Sequence, residues 1–433
     1  MEQSLRIAIV GGGVVGLATA ISLARVGFRP VVYEAVRKPE PLGVGINLLP
    51  HAVRELTELG LLEKVRELGV SIDELVYRME DGRVVWTEPR GLAAGYDWPQ
   101  IAIHRGQFQM LLLEEARALV GNDSLRFGHA LTAVEPAGDA VMLHFLDRAT
   151  GRSLGAQTAD VVIAADGIHS TIRKQFYPDE GIPKWSGVSL FRGAMTLPAG
   201  TVGPTMNWTG HSRQKFVGYP IRVDERSGEI LFNFICDIQT GEPGSTPRED
   251  WNRKVYPSEW LGRYANWKWP GVDVTSVVGS TADIYEFPMV DRDPLPRWTH
   301  GRITLAGDAA HPMYPIGSNG ATQGMIDARA LAFHLATAPT PEIALARYEE
   351  ERREPTSRIV LANRALGPDR VLEIARERAA SPQTNLDTVF PVAEREAISL
   401  NYKSLAAFNP AQVKARRSYT PEERPQASHI GAV

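Results

Sequence analysis

The sequence predicts an α/β fold: a Rossmann-like nucleotide-binding domain, an inserted and mostly antiparallel β-sheet domain, and C-terminal helices. Three observations predict it. Within the first forty residues a strand, a glycine turn, a helix and a second strand follow one another, the βαβ order that feeds a parallel sheet. Between about 180 and 290 the chain becomes richer in Trp, Phe, Tyr and Pro, and segments such as EILFNFICDI alternate as antiparallel strands do. From about 302 a strand and two long helical patterns return, so the nucleotide-binding part is assembled from both ends of the chain.

In order, the pattern gives a strand at Leu5–Val10, a helix at Val14–Val26 and a strand at Pro30–Glu34. PLGVGIN reads as a flexible glycine segment leading into an amphipathic helix. Short strands around Asp-Gly and Pro turns follow over 73–103, a helix over 105–119, and strands near 130–146 and 160–165. Helices are expected over 319–336 and 341–365. The tail from about 409 has no apolar period and is expected to be loose.

Composition narrows the function. A length of 433 residues allows two or three domains. A net charge of −4 without a basic stripe argues against nucleic acid as a partner. The single cysteine, Cys236, excludes an intramolecular disulfide and a thiolate metal cluster. Its alternating context reads as a buried thiol rather than a nucleophile. No histidine falls in an H-E-x-x-H spacing, and no metal is expected. Residues 7–24 carry no charge and approach the ~20 residues that cross a bilayer. Three consecutive glycines and the split into strand and helix favour a soluble reading, hence a cytoplasmic protein without a membrane anchor.

Three glycine-and-acid junctions carry the chemistry. In IAIVGGGVVGLATAISLARVGFRPVVYE, Gly11, Gly13 and Gly16 fit G-x-G-x-x-G between a strand and a helix. Gly11 permits the turn, Gly13 lets a pyrophosphate approach the backbone, and Gly16 lets helix and strand pack closely. The helix N-terminus supplies free N–H groups. Glu34, ending the second strand, can accept hydrogen bonds from ribose hydroxyls. In ADVVIAADGIHSTIR a buried strand ends at Asp166-Gly167; taken alone this is an Asp turn with Ser170 as a helix cap. In GRITLAGDAAHPMYPIGSNGATQG a strand ends at Gly307-Asp308, and a loop far longer than the usual link leads to a helix near Asn319.

Together these motifs resemble the class A flavoprotein monooxygenases, the aromatic hydroxylases of the para-hydroxybenzoate hydroxylase type, over about residues 5–365. PLGVGIN, TEPRG, HRGQFQML, ADGIHS and PMVDRDPLP are most similar to the phenazine and salicylate hydroxylases of that family. The resemblance implies a GR2-type FAD-binding fold in pieces: 1–75, 105–180 and 291–365 bind FAD, 76–104 and 181–290 form the substrate-binding sheet, and 366–433 is a helical segment with a loose tail. It implies FAD as cofactor and NADH or NADPH as a transient co-substrate with no domain of its own. It further implies hydroxylation of an aromatic substrate, phenolic or polycyclic and heteroaromatic, by O2 through a C4a-hydroperoxyflavin, in a monomer or homodimer.

The resemblance also assigns residues. Asp308 meets the ribityl chain, and Gly307, Pro315, Gly317, Ser318, Asn319 and Gly320 lie along the flavin ring. Arg105 and Gln109 lie near the phosphates, and Asp166 serves FAD and the pyridine nucleotide. Val14, Val15, Ala35 and Gly45 complete the cofactor contacts. For the substrate, Arg192 matches an Arg of phenazine and salicylate hydroxylases, with a structural ion pair as the equal alternative. Tyr219 lines the pocket or packs in the core, and His51 faces substrate or sits on the surface at a helix start. His311 is expected to pack structurally. A flavin-dependent epoxidase or oxidase of a non-aromatic substrate, or a non-catalytic flavin-binding redox protein, remains open. WKWPGV at 267–272 only partly matches the halogenase pattern W-x-W-x-I-P.

Overall fold

The computed structural model describes residues 5–244, 253–379 and 381–422. Its centre is a six-stranded sheet in the order Leu125–Phe127, Val31–Glu34, Ile7–Val10, Val161–Ala164, Ile303–Leu305 and Thr299–His300, with only the last strand antiparallel. Ile7–Val10 and Val161–Ala164 are buried throughout, as continuous apolar runs in a parallel sheet covered on both faces must be. The helices Val14–Arg25 and Gly320–Thr337 pack directly on each other. Their approach depends on glycine: a Cβ at Gly324 would stand 2.4 Å from Val15 Cγ2.

The second large element is a seven-stranded sheet in the order Ile284–Asp291, Lys184–Leu197, Ile230–Gln239, Gln214–Val223, Thr205–His211, Glu74–Arg78 and Val84–Pro89. All neighbours are antiparallel except Thr205–His211 with Glu74–Arg78. A three-stranded antiparallel sheet spans His129–Ala159. The uncharged stretch 7–24 divides into a buried strand and a helix, and among the described residues no helix is long and apolar enough to cross a membrane.

Two expectations are corrected. PLGVGIN is not simply a flexible link: Gly45–Leu48 is a strand paired with Gln100–His104. The W-x-W-x-I-P likeness of WKWPGV has a packing origin. Phe191, Phe216, Phe232 and Phe234 pack with Trp260, Tyr264, Trp267 and Trp269 in one apolar core, which absorbs both tryptophans of WKWPGV and the thiol of Cys236. The tail is not loose over 409–422. Asn409 and Gln412 form a reciprocal capping box at the helix Pro410–Ala415. Arg54 then donates to the carbonyls of Val413 and Arg416, Ser418 donates to Glu58, and Arg416 pairs with buried Glu55. Long-range polar contacts and two isolated buried anchors, Val413 and Tyr419, hold this segment, so an apolar-period reading is blind to it. The remainder of the tail, 423–433, lies outside the described residues.

Candidate active site

The three junctions converge at the carboxyl end of the parallel sheet. Val10, Ala164 and Leu305 end neighbouring strands, and the chain leaves each into a glycine turn. Gly11 has φ +106°, and a Cβ there would sit 2.3 Å from the Ala165 carbonyl oxygen and 3.0 Å from Asp166 Cα. A Cβ on Gly307 would meet Val15 at 2.8 Å. Arg173, at the end of the DG motif and 1% exposed, donates to the carbonyls of Ala309 and Ala310 at 3.0 Å and so ties the second junction to the third. Glu34 accepts from the amides of Gly12 (2.6 Å) and Val36 (2.7 Å), which aims its carboxylate across the glycine turn and past Ala35. Gln109 braces the turn by donating to the Gly12 carbonyl.

Two acids on this floor are raised above the ordinary carboxylate range. Asp166 is pushed up to about 6 by burial, opposed by hydrogen bonds from Ser170 and the backbone; Oδ2 accepts from Thr171 while Oδ1 has no protein partner. Ser170 caps the helix Thr171–Phe176 by accepting from Arg173, so the plain Asp-turn reading is correct locally. Asp308 is open to solvent yet surrounded by protein, and that enclosure lifts its carboxyl against the pull of His311 and Arg105. Because the folded state holds the Asp166 proton to higher pH than the unfolded chain, its contribution to stability falls as pH rises from about 4 to about 6. Flavin-free Asp166→Asn is therefore expected to be more stable than wild type at neutral pH by roughly 1–3 kcal/mol. Thermal unfolding across that pH window should show a flatter slope; an unchanged slope would refute the assignment.

The loop after Asp308 is shaped from behind. Gly317 and Ser318 both have positive φ, +72° and +59°. A Cβ on Gly317 would lie 2.3 Å from the Tyr402 hydroxyl. That hydroxyl donates to Asn363 Oδ1 (2.8 Å) and accepts from Asn319 Nδ2 (2.9 Å). Asn319 is fully buried and does not cap the helix Gly320–Thr337, so the first-turn amides receive no side-chain cap. Pro315 is exposed on an otherwise buried loop. Asp327, fully buried, accepts from the Gly307 amide (3.0 Å), His311 Nε2 (2.5 Å) and Arg352 Nε (2.8 Å). His311 thus packs structurally. Sequence reading missed Tyr402, Asp327, Arg352 and Arg173; only Asp327, the eighth residue of an otherwise mostly apolar helix, offered a local sign.

On the seven-stranded sheet, Arg192 donates to the Gly45 carbonyl (2.8 Å), and Asn233 Oδ1 accepts from the Gly45 amide (2.7 Å). Arg192 also acts electrostatically on Tyr219, and its Nε is buried without a partner. Burial pushes the Tyr219 phenol up to about 12, so it is protonated at neutral pH and can serve as a donor. Exposed Arg105 acts electrostatically on Asp308 at one side and on Arg192 at the other. His51 corrects both of its expected roles. It is 1% exposed, stacked on Phe408 and within 3.4 Å of Gln323, and burial beside Arg416 and Arg352 holds its pKa well below the usual value. Its partners belong to helices and the C-terminal segment, not to the sheet. Among the described residues no cluster of three His, Cys, Asp or Glu is arranged for a metal.

Fold and site define a class: a Rossmann-type dinucleotide-binding enzyme carrying an inserted sheet over the mouth of its nucleotide crevice. The chain belongs to the FAD binding domain family, whose model matches residues 4–362. It is 39% identical to the phenazine 1,6-dicarboxylic acid hydroxylase of Lysobacter antibioticus over 83% of this chain and 89% of that one. It is 34% identical to a 3-amino-4-hydroxybenzoate 2-monooxygenase of Streptomyces platensis over 88% of this chain and 94% of the relative. Klebsiella pneumoniae HpxO, in a crystal structure with FAD and uric acid, has the same fold at 22% identity, a TM-score of 0.72, and coverage of 92% of this chain and 96% of that one. The protein is a flavoprotein oxidoreductase with FAD as its cofactor.

The residues fit that group. The Cβ positions of Gly13 and Gly320 open into free space with no protein atom within 4 Å, so backbone at both helix starts can be approached closely. Asp166 Oδ1 lacks a protein partner, and Asp308 is an accessible acid on the floor of the crevice.

Proposed function

We propose that the protein hydroxylates an aromatic ring, phenolic or polycyclic and heteroaromatic, with NADH or NADPH as electron donor and O2 as oxygen donor. The single observation that carries this reading is the convergence of three sequence-distant junctions beneath Arg192 and Tyr219 of the sheet, linked through Arg105. When bound, FAD supplies hydride acceptance and activation of dioxygen.

In this reading Gly11, Gly13, Val14, Val15 and Gly16 cradle the pyrophosphate at a helix N-terminus, and Glu34 with Ala35 receives the ribose. Arg105 neutralises phosphate, Gln109 acts through Gly12, and Gly307 with Asp308 meets the ribityl chain. Pro315, Gly317, Ser318, Asn319, Gly320 and Gly45 shape the ring site, where the uncapped amides after Asn319 steady negative charge on a reduced ring. Arg192 and Tyr219 orient the substrate, Tyr219 as a proton-bearing donor. Residues 1–75, 105–180 and 291–365 build the cofactor side, and 76–104 with 181–290 the substrate side. The enzyme acts in the cytoplasm as a monomer or homodimer.

The test is NADH and NADPH consumption by holoenzyme with and without candidate rings in isotopically labelled O2. The expected result is ring-stimulated oxidation with one labelled oxygen in the product. Peroxide release alone with every ring would favour an oxidase. A flavin that no pyridine nucleotide reduces would favour a non-catalytic redox protein.

A further inference from the structure

Gly45 joins the two halves of the molecule. It opens the strand Gly45–Leu48, the edge strand of a three-stranded antiparallel sheet completed by Gln100–His104 and Gly69–Ile72. The N–H and C=O of a residue in an antiparallel strand point the same way, either to the neighbouring strand or away from it. At Gly45 both are taken from outside that sheet: Asn233 Oδ1 accepts from the N–H at 2.7 Å, and Arg192 Nη2 donates to the C=O at 2.8 Å. Two side chains of the seven-stranded sheet thus stand in for the strand that this edge lacks. The fit is close, since a Cβ on Gly45 would lie 2.7 Å from Asn233 Cγ and 2.7 Å from Ile221 Cγ2.

The chemistry of Asn233 fits this role. It is fully buried, 188 positions from Gly45 in the chain, and lies directly opposite Tyr219 in the ladder. An N–H needs an acceptor, so the amide can present only its oxygen to Gly45, and Nδ2 is left as a buried donor without a protein partner. A leucine would fill a similar volume without that unpaired donor. What an asparagine adds here is the acceptor for Gly45.

From Gly45 the contacts run to the cofactor side. Its N–H belongs to the Val44–Gly45 peptide, whose carbonyl points the opposite way and accepts from the Arg105 amide at 2.9 Å, where the helix Arg105–Val120 begins. One helix turn on, Gln109 donates to the Gly12 carbonyl at 2.9 Å, inside the first glycine turn. Direct hydrogen bonds and one turn of helix therefore connect the seven-stranded sheet with the dinucleotide turn. We propose that Asn233 is a positioning residue of the flavin site: with Arg192 it clamps Gly45 and so sets where the cofactor-side strand and Arg105 stand relative to the sheet. The inference rests on the placement of FAD proposed above and goes beyond it, because it assigns a residue that acts through Gly45.

The tests use FAD alone. In wild type, binding at one end of this path must by linkage tighten the other, so the Gly45 amide should exchange with deuterium about 10-fold more slowly in FAD-loaded than in flavin-free protein. Equal rates overturn the proposal, and no variant needs to fold for that result. Asn233→Leu removes the acceptor; it should weaken FAD binding about 10-fold and shift the visible bands of the flavin at saturation. Asn233→Asp keeps an oxygen for the Gly45 N–H and should restore both. A loss in Asn233→Asp as large as that in Asn233→Leu would assign the effect to Nδ2 and overturn the clamp, as would unchanged affinity and bands in Asn233→Leu. Because no ring enters these measurements, the labelled-oxygen assay can fail on its own and leave the clamp standing.

Discussion

Protein carrying Gly16→Ala is expected to purify without its yellow cofactor and to melt at lower temperature than wild type. The added Cβ would stand 1.9 Å from the Gly11 carbonyl oxygen and 3.4 Å from Ile9 Cγ2. The oxygen belongs to the backbone of the first turn and has no rotamer through which to yield. The helix Val14–Arg25 must move off the strand, which costs about 1–3 kcal/mol as overpacking and more if the turn distorts. The same displacement shifts the helix N-terminus that receives the pyrophosphate, so FAD affinity should fall by about 10- to 100-fold or beyond. Gly13→Ala separates the two effects. Its backbone is extended (φ −75°, ψ −176°), and a Cβ there meets nothing within 4 Å. Thermal unfolding of the flavin-free variant should match wild type, while FAD binding, followed by flavin fluorescence, weakens. Undiminished FAD affinity in Gly13→Ala would mean that no pyrophosphate passes over this turn.

Asp327→Asn is expected to destabilise strongly, by about 3–5 kcal/mol, because it strips a fully buried ion cluster of the carboxylate that pairs with both His311 and Arg352. Burial alone would raise the Asp327 pKa, but His311 and Arg352 outweigh it and hold the carboxyl well below the usual range. Its stabilising contribution is therefore present above the unfolded value near 4 and is lost as pH falls toward the folded one. Wild type should lose stability on acidification below about pH 4 more steeply than Asp327→Asn. The variant should also hold FAD poorly, since the Gly307 amide loses an ionic acceptor just where the crevice floor turns. Denaturant unfolding with matched flavin titrations checks both; a loss under 1 kcal/mol would contradict the buried-cluster account.

How far the sequence reached depends on which force holds each part. The parallel sheet and its glycine turns were legible because Ile7–Val10 and Val161–Ala164 must be apolar on both faces, and because Gly11 and Gly16 face backbone oxygens that tolerate no side chain. The convergence of Asp166 and Asp308 followed from motif order through family resemblance, not from periodicity. Illegible were the long-range polar ties. Arg173 reaches the Ala309 and Ala310 carbonyls across 136 and 137 positions, and Tyr402 bonds Asn319 across 83. A lone Arg or Tyr gives no local sign of such a partner. His51 misled because a histidine at a helix start is ordinarily wet, whereas here Phe408, more than 350 positions away in the chain, roofs it over.

The Tyr402 clasp behind Gly317 and Ser318 also bears on biogenesis. Residues 307–320 leave the ribosome before the helix that carries Tyr402, so this loop is without its brace until the chain has grown past Tyr402, which lies 83 positions beyond Asn319. Flavin capture is therefore expected to wait until translation has passed residue 402: a nascent chain stalled short of that point should fold its parallel sheet and yet emerge pale.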